Sequence, residues 1–239
     1  MLVASDFRQQ AREALKGNWG VAVLTGFVAV LLGGTSGMGS GSGNSSGGEN
    51  SNGVLGDLWN SEFGILVAKI LGIVAIWSLL VFIIGGAVQL GYIRFNLNLI
   101  DRTGGAQFSD LFSEFGRFGT AFCLRLLTTI FTVLWTLLFI IPGIIAVFRY
   151  AMAPYILQEH PEIGASEAIR RSKELMNGNK WRLFSLEFSF IGWAILSALT
   201  FGIGFLWLIP YKEAATAAFY REIVREQEGY TQSYQYNEI

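Results

Sequence analysis

Residues 118–157 read FGTAFCLRLLTTIFTVLWTLLFIIPGIIAVFRYAMAPYIL, and Arg125 and Arg149 are the only charged side chains among them. A single helix of this length would extend about 60 Å, twice the roughly 30 Å thickness of a bilayer's hydrocarbon core. Pro142 and Gly143 lie near the middle, where proline removes a helix hydrogen bond and glycine permits a sharp turn. The stretch therefore predicts two membrane-spanning helices that fold back on each other as a hairpin.

Other parts of the chain contain similar apolar runs, and the last pair is interrupted by Gly202 and Gly204. A membrane-spanning helix needs about 20 residues. The sequence predicts an all-α polytopic bundle of six such helices in three hairpins, over residues 19–34, 65–92, 118–141, 144–157, 183–201 and 203–219. The first and fourth are short, so we expect neighbouring helices to tilt or the bilayer to thin locally.

The composition supports a membrane protein and argues against several kinds of chemistry. Hydrophobic residues make up 52% of the chain and charged residues 15%, whereas soluble domains carry about 25% charged residues. Cys123 and His160 are the only cysteine and histidine, and they are distant in sequence. This scarcity argues against a zinc or haem site and against Cys–His catalysis, so we expect no metal and no cofactor.

The distribution of cations predicts the orientation. Six spans place all the clusters of lysine and arginine on one side, whereas residues 35–64 contain no lysine or arginine and are rich in Gly, Ser and Asn. Cytoplasmic loops carry the excess of lysine and arginine. We therefore expect one membrane domain over residues 1–239, with an external loop at 35–64. Both termini, including a tail at 226–239, are expected in the cytoplasm.

Each predicted hairpin follows a short amphipathic segment that ends in glycine and an aromatic residue. The three segments end in ALKGNW at 14–19, SEFGRF at 113–118 and MNGNKW at 176–181. We expect Gly17, Gly116 and Gly178 to cap these helices in a left-handed conformation. The aromatic residue that follows is expected at headgroup depth. The likeness of the first and third segments favours an internal repeat, with convergence on the same local physics as the alternative.

Five charged residues within the apolar runs are the candidate functional residues. Each charge at mid-depth costs about 2–3 kcal/mol or more if it is unpaired. We therefore expect the four deeper ones to face partners in the bundle interior, and to form a network with Glu187, which is closer to the cytoplasmic interface. A structural role as ion pairs and a functional role along a solute path both remain open. The expected partner of Arg149 is Glu213 or a carbonyl near Pro210. The five residues are Arg125, Arg149, Glu187, Lys212 and Glu213.

Six motifs are the basis of a resemblance: ALKGNW at 14–19, DLF at 110–112, IPGII at 141–145, Arg149-Tyr150, SKELMNG at 172–178 and WLIPY at 207–211. They resemble those of an uncharacterised family of bacterial integral membrane proteins, called domain of unknown function 975. The resemblance covers almost the whole chain outside the Gly/Ser loop, and it implies a location in a bacterial cell membrane but no activity. A remoter similarity is to the membrane domain attached to some glycerophosphodiester phosphodiesterases, whose catalytic domain is absent here.

These observations favour a non-enzymatic protein that acts as a scaffold, an assembly factor or a lipid-interacting element. The predicted spans contain no Gly-x-Ser-x-Gly motif and no pair of carboxylates within one span, so nothing in them points to an intramembrane enzyme. The expected partners are the bilayer and anionic lipid headgroups, bound through the basic cytoplasmic helices, and no nucleic acid. The alternative is a small transporter or channel that uses Arg149, Lys212 and Glu213.

Overall fold

The computed structural model describes residues 3–32, 62–101 and 106–237, and these contain helices and no β-strand. The all-α prediction is confirmed. Most of the expected loop 35–64 lies outside the described residues, although its last three residues begin a helix. The elements are α1 (Ala4–Leu15), α2 (Trp19–Leu31), α3 (Glu62–Asp101), a 3₁₀ helix (Phe108–Arg117), α4 (Phe118–Leu138), α5 (Ile140–Tyr150), α6 (Ala153–Glu159), α7 (Ala165–Leu175), α8 (Lys180–Phe188), α9 (Ile191–Leu199) and α10 (Phe205–Asn237).

Several helices have the length and composition of membrane spans. Among the described residues there are four such segments: Leu66–Asp101, Phe108–Leu138, Ile141–Glu159 and Lys180–Leu199. The helices α1 and α2 meet at 107° and would add a fifth if this bent pair is one span. The expected spans at 19–34 and 203–219 are not among the four. One reason is that α2 has 13 residues and is only about 20 Å long.

The 40-residue helix α3 has two halves in different surroundings. Side chains at 66–80 are almost all exposed, whereas most of those between Ala87 and Leu99 are buried. The second half packs against α1, α6 and the middle of α10 to form the core. Small residues allow this close packing of helices, and in α10 they are Ala214, Ala215, Ala217 and Ala218.

Two of the three predicted glycine corners are confirmed. Gly17 and Gly178 have φ of +87° and +85°, in the left-handed region that favours glycine. Each connects an amphipathic helix to the apolar helix that follows, and Trp181 after the second corner is 75% exposed. The prediction for Gly116 is wrong, because it lies within the 3₁₀ helix, which leads directly into α4.

The turn between α4 and α5 lies at Phe139, three residues before the predicted turn. Pro142 is in the first turn of α5, where a helix needs no N–H donor and therefore tolerates proline. Gly143 instead permits α5 to approach α4 closely, since a Cβ on Gly143 would lie 2.8 Å from the Thr136 Cα. At the turn between α9 and α10 a glycine likewise permits the two helices to approach closely, because a Cβ on Gly204 would lie 2.8 Å from the Ser197 Cα.

Candidate functional site

A cavity of about 590 Å³ lies between α3, α4, α6, α8 and α10. Four of the five charged residues singled out from the sequence line it: Arg125 from α4, Glu187 from α8, and Lys212 and Glu213 from α10. The structure therefore brings together side chains that are up to 88 positions apart in the sequence. The fifth residue, Arg149, lies outside this cavity.

Two of these charges pair with each other. The Lys212 Nζ lies 2.8 Å from the Glu187 Oε2, and both side chains are partly buried. The pair connects α8 to α10 across the hairpin that these helices form with α9. In a medium of low dielectric constant such a pair avoids the cost of leaving either charge alone.

The other carboxylate of the cavity is buried beside a tyrosine. Glu213 is 6% exposed and lies close to the hydroxyl of Tyr155 in α6. On the far wall, the Arg125 guanidinium lies over the Phe82 ring, 5.2 Å from its centroid, in a cation–π contact. The acidic and basic groups of the cavity are thus held by contacts within the protein.

Neutral polar groups complete the lining. Gln89, Thr128, Thr132 and Thr216 contribute to the wall. Thr128 donates its hydroxyl proton to the Leu124 carbonyl at 2.8 Å, and Thr216 donates to the Lys212 carbonyl at 3.0 Å. Because each hydroxyl also has acceptor lone pairs, these threonines can still accept hydrogen bonds from a molecule in the cavity.

The predicted pairing of Arg149 with Glu213 is wrong. Arg149 lies beside α7, where its carbonyl accepts a hydrogen bond of 2.8 Å from Ser172, and it lines a groove together with Lys173. The neighbouring Phe148 contacts Phe184 of α8, with ring centroids 5.9 Å apart. The predicted pairing assumed that α5 and α10 run side by side and that residues equally far from their turns lie at the same depth. Arg149 does not meet Glu213 because α5 packs against α7 and α8 instead.

A buried carboxylate within the 3₁₀ helix was not predicted from the sequence. Glu114 is 4% exposed and accepts hydrogen bonds from Arg94 at 2.9 Å, Arg117 at 2.9 Å and Gln158 at 3.2 Å. It therefore ties the 3₁₀ helix to α3 and α6. The spacing of Glu114 and Arg117 was a local signal, but Arg94 and Gln158 are remote in sequence and gave none.

A second missed cluster lies around Arg221 of α10. Its guanidinium bonds Asp101 at the end of α3, with Nε to Oδ1 at 3.0 Å, and also bonds Glu159 at the end of α6. The Tyr220 hydroxyl donates to Glu159 as well. The cluster joins the ends of three helices and so fixes their relative positions.

The described residues contain no group of three or more potential metal ligands among His, Cys, Asp and Glu. The charged side chains of the cavity are one lysine, one arginine and two glutamates, and they already contact other groups of the protein. Such a set of charges can bind a polar or charged group. Within the described part of the chain, the cavity thus combines a largely apolar wall with a few charged and hydroxyl-bearing side chains.

The long apolar helices and their exposed apolar side chains together indicate a membrane protein. The family model described as "Protein of unknown function (DUF975)" matches residues 1–148 and 137–227, and the chain belongs to this family. No curated protein and no solved structure matches the chain. The remoter similarity to glycerophosphodiester phosphodiesterases therefore stays a prediction from motifs.

Proposed function

We propose that the protein is a non-enzymatic component of a bacterial cell membrane that acts as a scaffold, an assembly factor or a lipid-interacting element. In this proposal six membrane-spanning helices form three hairpins, and both termini lie in the cytoplasm. An amphipathic helix, namely α1, the 3₁₀ helix or α7, precedes each hairpin at the cytoplasmic surface. Among these roles we favour interaction with lipid.

The observation that carries the proposal is the internal pairing of the charges in the cavity. Lys212 forms an ion pair with Glu187, and Glu213 lies beside the Tyr155 hydroxyl. A solute path needs groups that can exchange their partners for the solute, whereas paired groups stabilise a bundle. The apolar side chains exposed at 66–80 and on α4, α5, α8 and α9 provide the surface that a bilayer would cover.

The topology has a direct test. We expect a reporter enzyme that is active only outside the cytoplasm to be active when it is fused at Asn44 and inactive when it is fused after Ile239. The physical reason is the absence of lysine and arginine from residues 35–64 and their abundance elsewhere. The complementary cytoplasmic reporter serves as the control and should give the opposite pattern. Activity of that cytoplasmic reporter at Asn44 would contradict the six-span topology.

A transporter or channel is the second candidate, and the size of the cavity favours it. A volume of about 590 Å³ is within the range of small-molecule sites, and two basic and two acidic side chains line it. The same residues would then form a polar binding site within the membrane, and transport would require the Lys212–Glu187 pair to open.

Cysteine labelling distinguishes the two candidates. In a Cys123→Ser background, Thr132→Cys places a thiol on the cavity wall, and a membrane-impermeant maleimide is added from either side of oriented vesicles. For a scaffold we expect labelling from one side at most. Labelling from both sides would favour the transporter. Glu228→Cys, which is exposed, is the positive control, and Thr25→Cys, which is fully buried, is the negative control.

A further inference from the structure

A second cavity, which shares Tyr150 with the lining of the candidate site, lies in a groove on the outer face of the α4–α5 hairpin. Its volume is about 580 Å³. One wall is apolar and exposed and includes Leu134, Trp135 and Leu138 of α4. At one end of the groove are two cations, Arg149 of α5 and Lys173 of α7. We call this the Arg149–Lys173 groove.

The two cations have no acidic partner. Within residues 3–32, 62–101 and 106–237, neither Arg149 nor Lys173 forms an ion pair, and no carboxylate lines the groove. Both side chains are partly buried. Two like charges that share a partly buried site beside apolar surface repel each other and are poorly hydrated. An anion bound between them would remove this cost.

Other cations of α7 are neutralised by carboxylates of the same helix. Arg170 and Arg171 both bond Glu167, at 2.6 Å and 2.9 Å, and Arg170 also lies 3.4 Å from Glu174, so that two carboxylates balance the two arginines. The hydrogen bonds from the arginines lower the pKa of Glu167 to about 2. The free positive charge of this helix surface is therefore concentrated at Lys173, next to Arg149.

Aromatic rings hold Lys173 in place and match a lipid interface. Its Nζ lies 5.5 Å from the centroid of Tyr150 and 5.9 Å from that of Phe131. Such contacts restrict the flexible lysine and keep the ammonium at the end of the groove. Tryptophan and tyrosine, here Trp135 and Tyr150, are the residues favoured where apolar and polar layers of a membrane meet.

We propose that the Arg149–Lys173 groove binds one anionic phospholipid. Its phosphate lies between the Arg149 guanidinium and the Lys173 ammonium, and an acyl chain lies along Leu134 and Leu138. The groove thereby differs from a site for free phosphate, because more than half of its wall is apolar side chain. This assignment rests on the proposed lipid-interacting function and specifies the lipid and the residues that bind it.

Native mass spectrometry of the full chain in detergent tests the assignment, with dioleoylphosphatidylglycerol as the anionic probe and dioleoylphosphatidylcholine as the zwitterionic one. We expect wild type to bind one phosphatidylglycerol more tightly than phosphatidylcholine. In the double variant Arg149→Gln, Lys173→Gln the dissociation constant for phosphatidylglycerol should rise at least about tenfold, since each lost hydrogen bond involves two charged groups. The matched control is Arg170→Gln, Arg171→Gln, which removes the same net charge from the same region and should change it less than about twofold.

Each other result has a defined meaning. Retained preference for phosphatidylglycerol in the double variant would overturn the groove as the site and leave the lipid-interacting function standing. Equal binding of both lipids by wild type would overturn that function together with the site. Displacement of phosphatidylglycerol by an equal concentration of glycerol phosphate would assign the groove to a free phosphate instead. If the double variant does not fold, the single variant Lys173→Gln provides the same comparison, with an expected rise of at least about threefold.

Discussion

Replacing Gly91 by alanine should destabilise the protein by about 3 kcal/mol. A Cβ at this position would lie 2.6 Å from the Leu111 carbonyl carbon and 2.7 Å from the Asp110 oxygen, and closer still to the Leu111 oxygen. These are backbone atoms of the 3₁₀ helix, so no side-chain rotation relieves the overlap and α3 must move away. The free energy of unfolding in mixed micelles, with increasing denaturing detergent, measures the loss.

Gly72→Ala is the matched control, because Gly72 lies in the same helix and a Cβ there meets nothing within 4 Å. Alanine has a higher helix propensity than glycine, so this change should be neutral or stabilise the protein by up to about 1 kcal/mol. Equal losses for the two variants would show that the close contact between α3 and the 3₁₀ helix does not form.

Replacing Glu114 by alanine should also cost about 3 kcal/mol, for an electrostatic reason. The carboxylate is buried and accepts hydrogen bonds from Arg94, Arg117 and Gln158. Its removal leaves two arginines close together without their counter-ion. Both arginines retain some contact with solvent, which places the expected loss at the low end of the range for broken buried pairs.

Glu174→Ala is the control for this prediction. Glu174 is an exposed carboxylate that lies 3.4 Å from Arg170, and exposed pairs contribute about 0–1 kcal/mol. The same unfolding measurement compares the two variants, and Glu114→Gln should fall between them because the amide oxygen can still accept one hydrogen bond. A loss at Glu114 no larger than at Glu174 would mean that the cluster does not support the fold.

The features that were predictable from the sequence are those with local causes. The helical class follows from apolar runs, and the corners at Gly17 and Gly178 follow from glycine after an amphipathic helix. The turn was misplaced because Pro142 has two acceptable positions, in a turn or in the first turn of a helix, and the sequence does not distinguish them. Gly116 shows the same limit, since a 3₁₀ helix uses glycine without a left-handed corner.

The positions of the five candidate residues depend on how the helices pack. Four of the five residues line one cavity because their side chains are polar and the bundle encloses them. Arg149 does not line the cavity. The side of the bundle that α5 faces depends on its contacts with α7 and α8, and the residues of α5 alone do not encode these contacts. The clusters around Glu114 and Arg221 were missed because their members come from separate helices.

The close contacts of Thr136 with Gly143 and of Ser197 with Gly204 suggest an order of assembly. Each contact joins residues seven positions apart, so closing it costs little loop entropy. The Glu114 and Arg221 clusters, in contrast, need partners up to 120 positions apart. We therefore expect each hairpin to close on its own soon after its synthesis, and the clusters to form last, when the completed hairpins dock.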